Sequence, residues 1–538
     1  MKHVIGFTVL STGLWVGAAS AQILKADKLP LVMAPGAATD KGAEVTWSLA
    51  QDASVIVQIL NARGLAVRTL NAGVMAAGRH TAQADGLDAA GKRLPSGDYK
   101  VRIGVNLKAE SDKSFGINGL LGSQTRSFTF PGGRRTLSMN LKQVEPQTVT
   151  LRIDGEVWER TSLFEGTQKT FVVNKTLGGL ELNPKAPLKP GAKVDVGYGL
   201  GLPLENPWAL ATAPDGSLYI VDNIRELDLA RKVVNPSRSG ALYKVDASGK
   251  PAGTFAEGGL IKCDAKDVAV DQAGNIFLAS IQHDIRVYDA SGIQRYVIGG
   301  YVPIDTPGYG RESPAGGYWI NSLAVNAADR LYFVNLNQAV AVYDASKPDL
   351  FGFLALQTAK EGALLPPVIG KYWGPCIAVT GDSFYRTAYR HQLAKQIYDP
   401  SSKSFSTVWS TPSKSEASFV ASPSDVVGSL YHPMGLAVDG AGLIFVANRN
   451  LHRVEVFYDA GKTYQAVTFL GGKGTDASLC QAMAPHDVAL SPDGRSLYVA
   501  DDGFFFQLEN QPEVHGLGRV VKWTLRYEES AEIPLIVK

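Results

Sequence analysis

The chain has 538 residues, 45% of them hydrophobic and 19% charged, with a formal net charge of +2. That is enough apolar material for two or more packed domains and too much for a disordered chain. A charge balance this close to neutral, without a basic stripe, argues against nucleic acid as a partner and gives no field that would collect anionic lipid.

The first segment, MKHVIGFTVLSTGLWVGAASAQ, carries Lys2, an apolar run from Val4 to Ala18 and the small-residue sequence Ala19-Ser20-Ala21. This pattern predicts a secretory signal peptide over residues 1–21, cut before Gln22, and a mature protein that is secreted or periplasmic. No later stretch approaches the roughly 20 apolar residues a span requires, so no membrane insertion is expected. Cys263, Cys376 and Cys480 match no zinc or redox spacing and read as small buried apolar residues.

Alternating runs at Val45–Leu49 and Val55–Leu60, followed by the turn Asn61-Ala62-Arg63-Gly64, predict a β-sandwich over residues 22–108. Gly64, Val67, Leu70, Gly78, His80, Asp85-Gly86, Gly91, Pro95, Gly97 and Tyr99 give this segment its pattern. In these residues it resembles the immunoglobulin-like domain of flagellar hook-capping (FlgD) proteins, an accessory fold without chemistry of its own. His80 belongs to that pattern and is expected to be structural. Residues 109–201 alternate again and predict a small β-rich linking domain.

From about residue 202 a pattern recurs: NPWALATAPDGSLYIVDN, DAKDVAVDQAGNIFLAS, WINSLAVNAADRLYFVN, WGPCIAVTGDSFYRTAY, HPMGLAVDGAGLIFVAN and APHDVALSPDGRSLYVADD. Its anchors, Leu210, Val268, Leu323, Ile377, Leu436 and Val488, stand about 52 to 59 residues apart. Short strands at such a period predict one four-stranded propeller blade per repeat, six in all. The pattern PxGLAVDxxGxIFVAN resembles the NHL repeat of six-bladed propellers, which implies an all-β propeller over residues 202–538. The strand that closes the last blade stays open: the terminal AEIPLIVK and the strand before Asn206 both fit.

In antiparallel blades, residues leading into the inner strand and residues leaving the second strand share one face, and the Asp-Gly turns share the other. Asp215, Asp271, Asp329, Asp439 and Asp493 on the turn face are expected to be turn formers. The first face gathers Trp208, Asp267, Trp319, Asn321, Trp373, His432, His486, Asp487, Asn448, Arg449 and Asp501. Trp208, Trp319 and Trp373 with amides and acids would suit a glycan or peptide, since a sugar offers one flat apolar face and a ring of hydroxyls. The alternative role for Asp501 and Asn448 is to cap backbone N–H groups at strand ends. For Trp319 and Trp373 the alternative is wedging between blades, and for His486 a hydrogen bond to the next blade's backbone.

APHDVAL also resembles the Pro-His-Asp-hydrophobic motif that begins blades of peptidyl-hydroxyglycine amidating lyase, a zinc propeller. That resemblance implies His486 as a metal ligand, with His432 two columns away from the pattern and Asp267 and Asn321 where further histidines would stand. Gluconolactonase-type propellers, which use calcium, imply hard-ion coordination by Asp and Asn instead. Two functions follow: a secreted propeller binding a glycan, peptide or small polar ligand and contacting other envelope proteins, or a lyase or hydrolase using a divalent metal, Ca or Zn. In the second, His486, His432 and Asp487 form the catalytic set, with His486 and His432 as the metal ligands and Asp267, Asn321 or Asp487 as further ligands or proton-transfer groups.

Overall fold

The computed structural model describes residues 22–26, 30–33, 42–112, 115, 123–133, 136–140, 149–160, 169–176, 179–199, 204–224, 240–252, 254–256, 260–280, 284–299, 320–335, 340–347, 353–357, 376–388, 391–412, 426–474, 480–502, 504–508, 511–514 and 518–538. The proposed signal peptide, Trp319 and Trp373 lie outside them.

Five four-stranded antiparallel sheets follow one another along the chain, each with its strands paired in sequence order. Their inner strands are Pro207–Thr212, Ala265–Val270, Ile320–Val325, Ile377–Thr380 and Pro433–Val438. A sixth inner strand, Pro485–Leu490, touches Pro433–Val438 on one side and Pro207–Thr212 on the other, and so closes a ring. The protein therefore contains a six-bladed β-propeller, and each inner strand carries one of the six sequence anchors.

Turn chemistry fixes where each blade reverses. In blade two, Asp271 Oδ1 accepts the backbone N–H groups of Ala273 and Asn275 at 2.9 and 2.7 Å. In blade five, Asp439 Oδ1 does the same for Ala441 and Leu443. Such side-chain acceptors preorganise a tight turn. In blade three the side-chain acceptor is Asn326, which takes the N–H groups of Ala328 and Arg330, and Asp329 forms the same turn from the left-handed position at φ +54°.

The sixth blade takes its outer strand from the other end of the chain. Its third strand, Arg519–Val537, runs antiparallel to Gly97–Ser111, with Trp523 opposite Ser111 and Tyr527 opposite Leu107. Farther along, the same pair enters the N-terminal sandwich, where Ile533 faces Val101 and Val537 faces Gly97. AEIPLIVK thus pairs inside the sandwich, and the strand before Asn206, Lys193–Gly199, belongs to another sheet, so neither closure open in the sequence is used. One apolar cluster, with Ile56, Ala72 and Leu107 of the sandwich against Val521 and Trp523 of blade six, makes the junction a shared core.

The sandwich packs Val45, Trp47, Val55, Val101 and Ile103 between its sheets. Seven strands between Ser123 and Gly199 form a further sheet with its own core around Leu151, Val173, Leu182 and Val194. Among the described residues no helix is long and apolar enough to cross a membrane.

Candidate functional site

Five of the six inner strands are irregular at the same level, and Ile377–Thr380 of blade four pairs regularly. Pairing skips one residue between Pro207 and Ala209, Ala265 and Asp267, Ile320 and Ser322, and Pro485 and Asp487, and is likewise broken between Pro433 and Leu436. A bulge leaves its extra residue unpaired in the ladder and re-aims its side chain. The residues so released are Trp208, Lys266, Asn321 and His486, and all four line a cavity of about 70 Å³ in the channel together with Asp267 and Asp487. A water molecule needs some 10–15 Å³ of such space, so the cavity has room for a few waters or for the tip of a larger molecule.

In blades two, three and six the next residue along the strand ties neighbouring blades together. Asp487 Oδ2 accepts the N–H of Leu210 in blade one at 2.7 Å, and Asp267 Oδ2 accepts that of Leu323 in blade three at 2.8 Å. Their Oδ1 atoms take the N–H of Val488 and Val268. Ser322 continues the scheme, its Oγ accepting from Ile377 N at 3.0 Å. Blade five has Gly435 in this column, where a Cβ would collide with the Asp487 carboxylate.

Two carboxylates are thereby held in a tight, poorly hydrated channel. Burial pushes Asp267 up to about 7, against the lowering effect of its bonds to Ser322, Leu323 and Val268. Asp487 is raised well above the carboxylate range, first by burial and then by the charge of Asp267. Two coupled acids in one cavity resist ionising together, so the mouth retains an acidic proton near neutrality. The Cys376 thiol in the same cavity is raised well above its ordinary value by burial and by both aspartates, which keeps it protonated and a poor nucleophile.

His486 makes the inter-blade bond considered from sequence and leaves its other nitrogen open. Nδ1 lies 2.6 Å from the carbonyl oxygen of Trp208, and its ring stacks on the Trp208 indole with centroids 3.7 Å apart. Burial, with the charge of Arg449, holds the ring well below the usual imidazole range, so it is neutral. A carbonyl can only accept; hence Nδ1 carries the proton and Nε2 presents a lone pair. Nε2 is buried and has no hydrogen-bond partner among the described residues.

The remaining sequence candidates separate from this cavity. His432, at φ +52°, donates its backbone N–H to His391 Nδ1 at 3.0 Å, and burial beside His391 lowers it to about 3. It does not line the channel cavity with His486. Arg449 forms a fully buried ion pair with Asp502. Asp501 accepts the N–H groups of Met483 and Ala484 and the Arg519 guanidinium, and Asn448 Oδ1 accepts Tyr431 N–H at 2.8 Å. Asp222 repeats this cap on Glu205 and Asn206. The capping role therefore accounts for Asp501 and Asn448. Trp208, only 7% exposed and covered by His486, offers no open face to a sugar. Among the described residues no three His, Cys, Asp or Glu side chains converge as metal ligands. Lys266, which the sequence places beside Asp267 on the same face, shares the column of His486 and lines the cavity with it.

Comparison with known proteins follows this architecture. Residues 35–108 match the model of the FlgD Ig-like domain family. A structural-genomics protein of unknown function from Bacteroides thetaiotaomicron is similar over 94% of this chain and 99% of its own, at 11% identity and a TM-score of 0.40. A protein from Lactobacillus plantarum is similar over 72% of this chain and 99% of its own, at 16% identity and TM-score 0.35. Streptogramin B lyase covers 61% of this chain and 96% of its own, at 12% identity and TM-score 0.33. No curated protein matches the chain.

Proposed function

We propose that the protein is a ligand-binding propeller whose channel mouth captures the terminal polar group of a glycan, a peptide or a small polar molecule. The observation that carries this reading is the buried, unpartnered Nε2 of His486 bordering the cavity. A buried acceptor without a donor costs on the order of 1–3 kcal/mol, which a hydroxyl or amine from a ligand would recover. Lys266 and Asn321 border the same space and supply donors for the ligand's own acceptors. With room for only a few waters, the cavity takes the tip of the ligand and leaves its body outside. Export, as the leader-like N-terminus suggests, would bring such a site to extracellular or periplasmic ligands and to other envelope proteins.

Calorimetry with mono- and disaccharides, dipeptides and small amines tests this reading. Saturable binding that His486→Phe and Lys266→Met each weaken at least ten-fold supports it, whereas binding untouched by both substitutions removes the channel from the site. A second reading, lyase or hydrolase chemistry, is favoured by one observation: a carboxylate held near 7 beside a neutral imidazole is a workable acid–base pair. A divalent ion, Ca or Zn, could enter that reading only through Nε2 of His486 and ligands other than the aspartate oxygens already holding backbone N–H groups. Elemental analysis of wild type and His486→Ala tests that route.

A further inference from the structure

A cavity of about 300 Å³ opens where the sandwich meets the turn face of blades five and six. Pockets of this size at a junction between domains are where small organic molecules are commonly held. The junction beside it is tied across the two parts: Thr69 donates its N–H to Ala441 O at 3.1 Å, Tyr458 donates its hydroxyl to Thr69 O at 2.9 Å, and the shared sheet of blade six forms one side of the cavity.

The lining is divided by chemistry. Leu65, Leu107, Leu443, Phe445 and Leu525 form an apolar wall, and Arg102 and Arg495 stand on the same cavity. Arg102 donates Nη2 to the neutral Gln58 Oε1 at 2.6 Å and lies 5.0 Å from the centre of the Tyr527 ring. Its Nε is buried without an acceptor among the described residues. Among the described residues neither guanidinium has a carboxylate within 4 Å. Two acids line the same cavity and feel these charges at longer range, Asp439 that of Arg102 and Asp493 that of Arg495. Their oxygens serve their own turns, Asp439 accepting Ala441 and Leu443 N–H and Asp493 accepting Ser491 Oγ–H and Arg495 N–H, and burial raises Asp439 to about 6. Gly64, at φ +76°, leaves the Arg495 head free to reach the mouth, since a Cβ there would stand 3.0 Å from Nη2. A guanidinium with a buried open N–H, in no direct ion pair among the described residues and beside an apolar wall, matches a planar carboxylate on a hydrophobic body.

We propose that this interdomain cavity is a second binding site, for a small organic carboxylate with an apolar body. Its test is calorimetry on the full chain with benzoate and hexanoate, with benzamide and inorganic phosphate as contrasts. Expected are one-to-one saturable binding of benzoate, at least ten-fold weaker binding of benzamide and of phosphate, and a loss of ten-fold or more in Arg102→Gln. Leu65→Trp, which fills the mouth from a partly exposed position, keeps the test decisive if Arg102→Gln lowers the melting temperature. Absence of saturable benzoate binding overturns the proposal. So does equal affinity for benzamide or phosphate, or undiminished benzoate binding in a Leu65→Trp protein that melts like wild type.

Discussion

Asp487 and Gly435 form a single fitted unit: the carboxylate that grips blade one occupies the space a side chain at 435 would need. Gly435→Ala is expected to cost about 1–3 kcal/mol, the usual range for overpacking. Adding Asp487→Ala should return part of that loss, because the clash with the carboxylate disappears while the one with the Asp487 backbone stays. Additive effects in a denaturant double-mutant cycle would contradict the fit.

Asp267 makes stability depend on pH in a stated direction. Its folded value, about 7, lies above that of an unfolded carboxylate, so the folded state binds more protons across the interval and stability falls as pH rises from about 4 to about 7. Asp267→Asn imitates the protonated acid and lacks this term. Measured by urea unfolding, wild type should lose ground to Asp267→Asn as pH rises from about 4 to about 7, and a constant difference would contradict the buried carboxylate.

His432 acts with the opposite sign. Lowered to about 3 by burial, it stays neutral in the folded protein while the unfolded chain takes up a proton below about 6.5. Wild type should therefore lose up to about 1.4 kcal/mol per pH unit relative to His432→Asn as pH falls from 6.5 towards 4. Asn is chosen because it tolerates the positive φ at this position. Parallel acid-denaturation curves for the two proteins would count against a buried neutral ring.

Asp501→Ala strips the cap from Met483 and Ala484 and strands the Arg519 guanidinium, which is 1% exposed as a residue. Removing one member of a buried pair costs about 3–5 kcal/mol, and thermal melting should show a loss of that order. A loss below about 1 kcal/mol would mean that the cap is not structural.

The sandwich and the propeller should unfold together. Trp523 is fully buried, in a cluster that includes Leu107 and Ile56, and the outer edge of blade six is Gly97–Ser111. A chain starting at residue 204 would expose that edge and its apolar row, a situation that favours aggregation. Calorimetry of the full chain should give one transition spanning both parts, and a separate sandwich transition would contradict the shared core.

The blade count, the strand order and the two faces were legible in the sequence because each rests on local patterns: a repeat, an alternation and a turn residue. The placement of His486 with Asp501 at one end followed from antiparallel connectivity and appears as the pairing of Pro485 with Asp501. Blade closure was not legible, because the pairing of Trp523 with Ser111 joins residues some 400 positions apart and no local signal marks it. Bulges were equally hidden: one extra residue decides that His486 and Lys266 enter the channel, whereas His432, turned by its positive φ, meets His391 instead. Trp208 was misread as an open sugar platform since spacing cannot reveal that His486 already covers its ring.

The account turns on the protonation of one imidazole. Nitrogen-15 NMR of the ligand-free protein at pH 7, with His486 assigned by comparison with His486→Phe, reads both ring nitrogens directly. The predicted spectrum has a proton on Nδ1 and a bare Nε2 that does not titrate in the usual imidazole range. A protonated Nε2, or a ring that is cationic at pH 7, would contradict an open acceptor in the channel mouth.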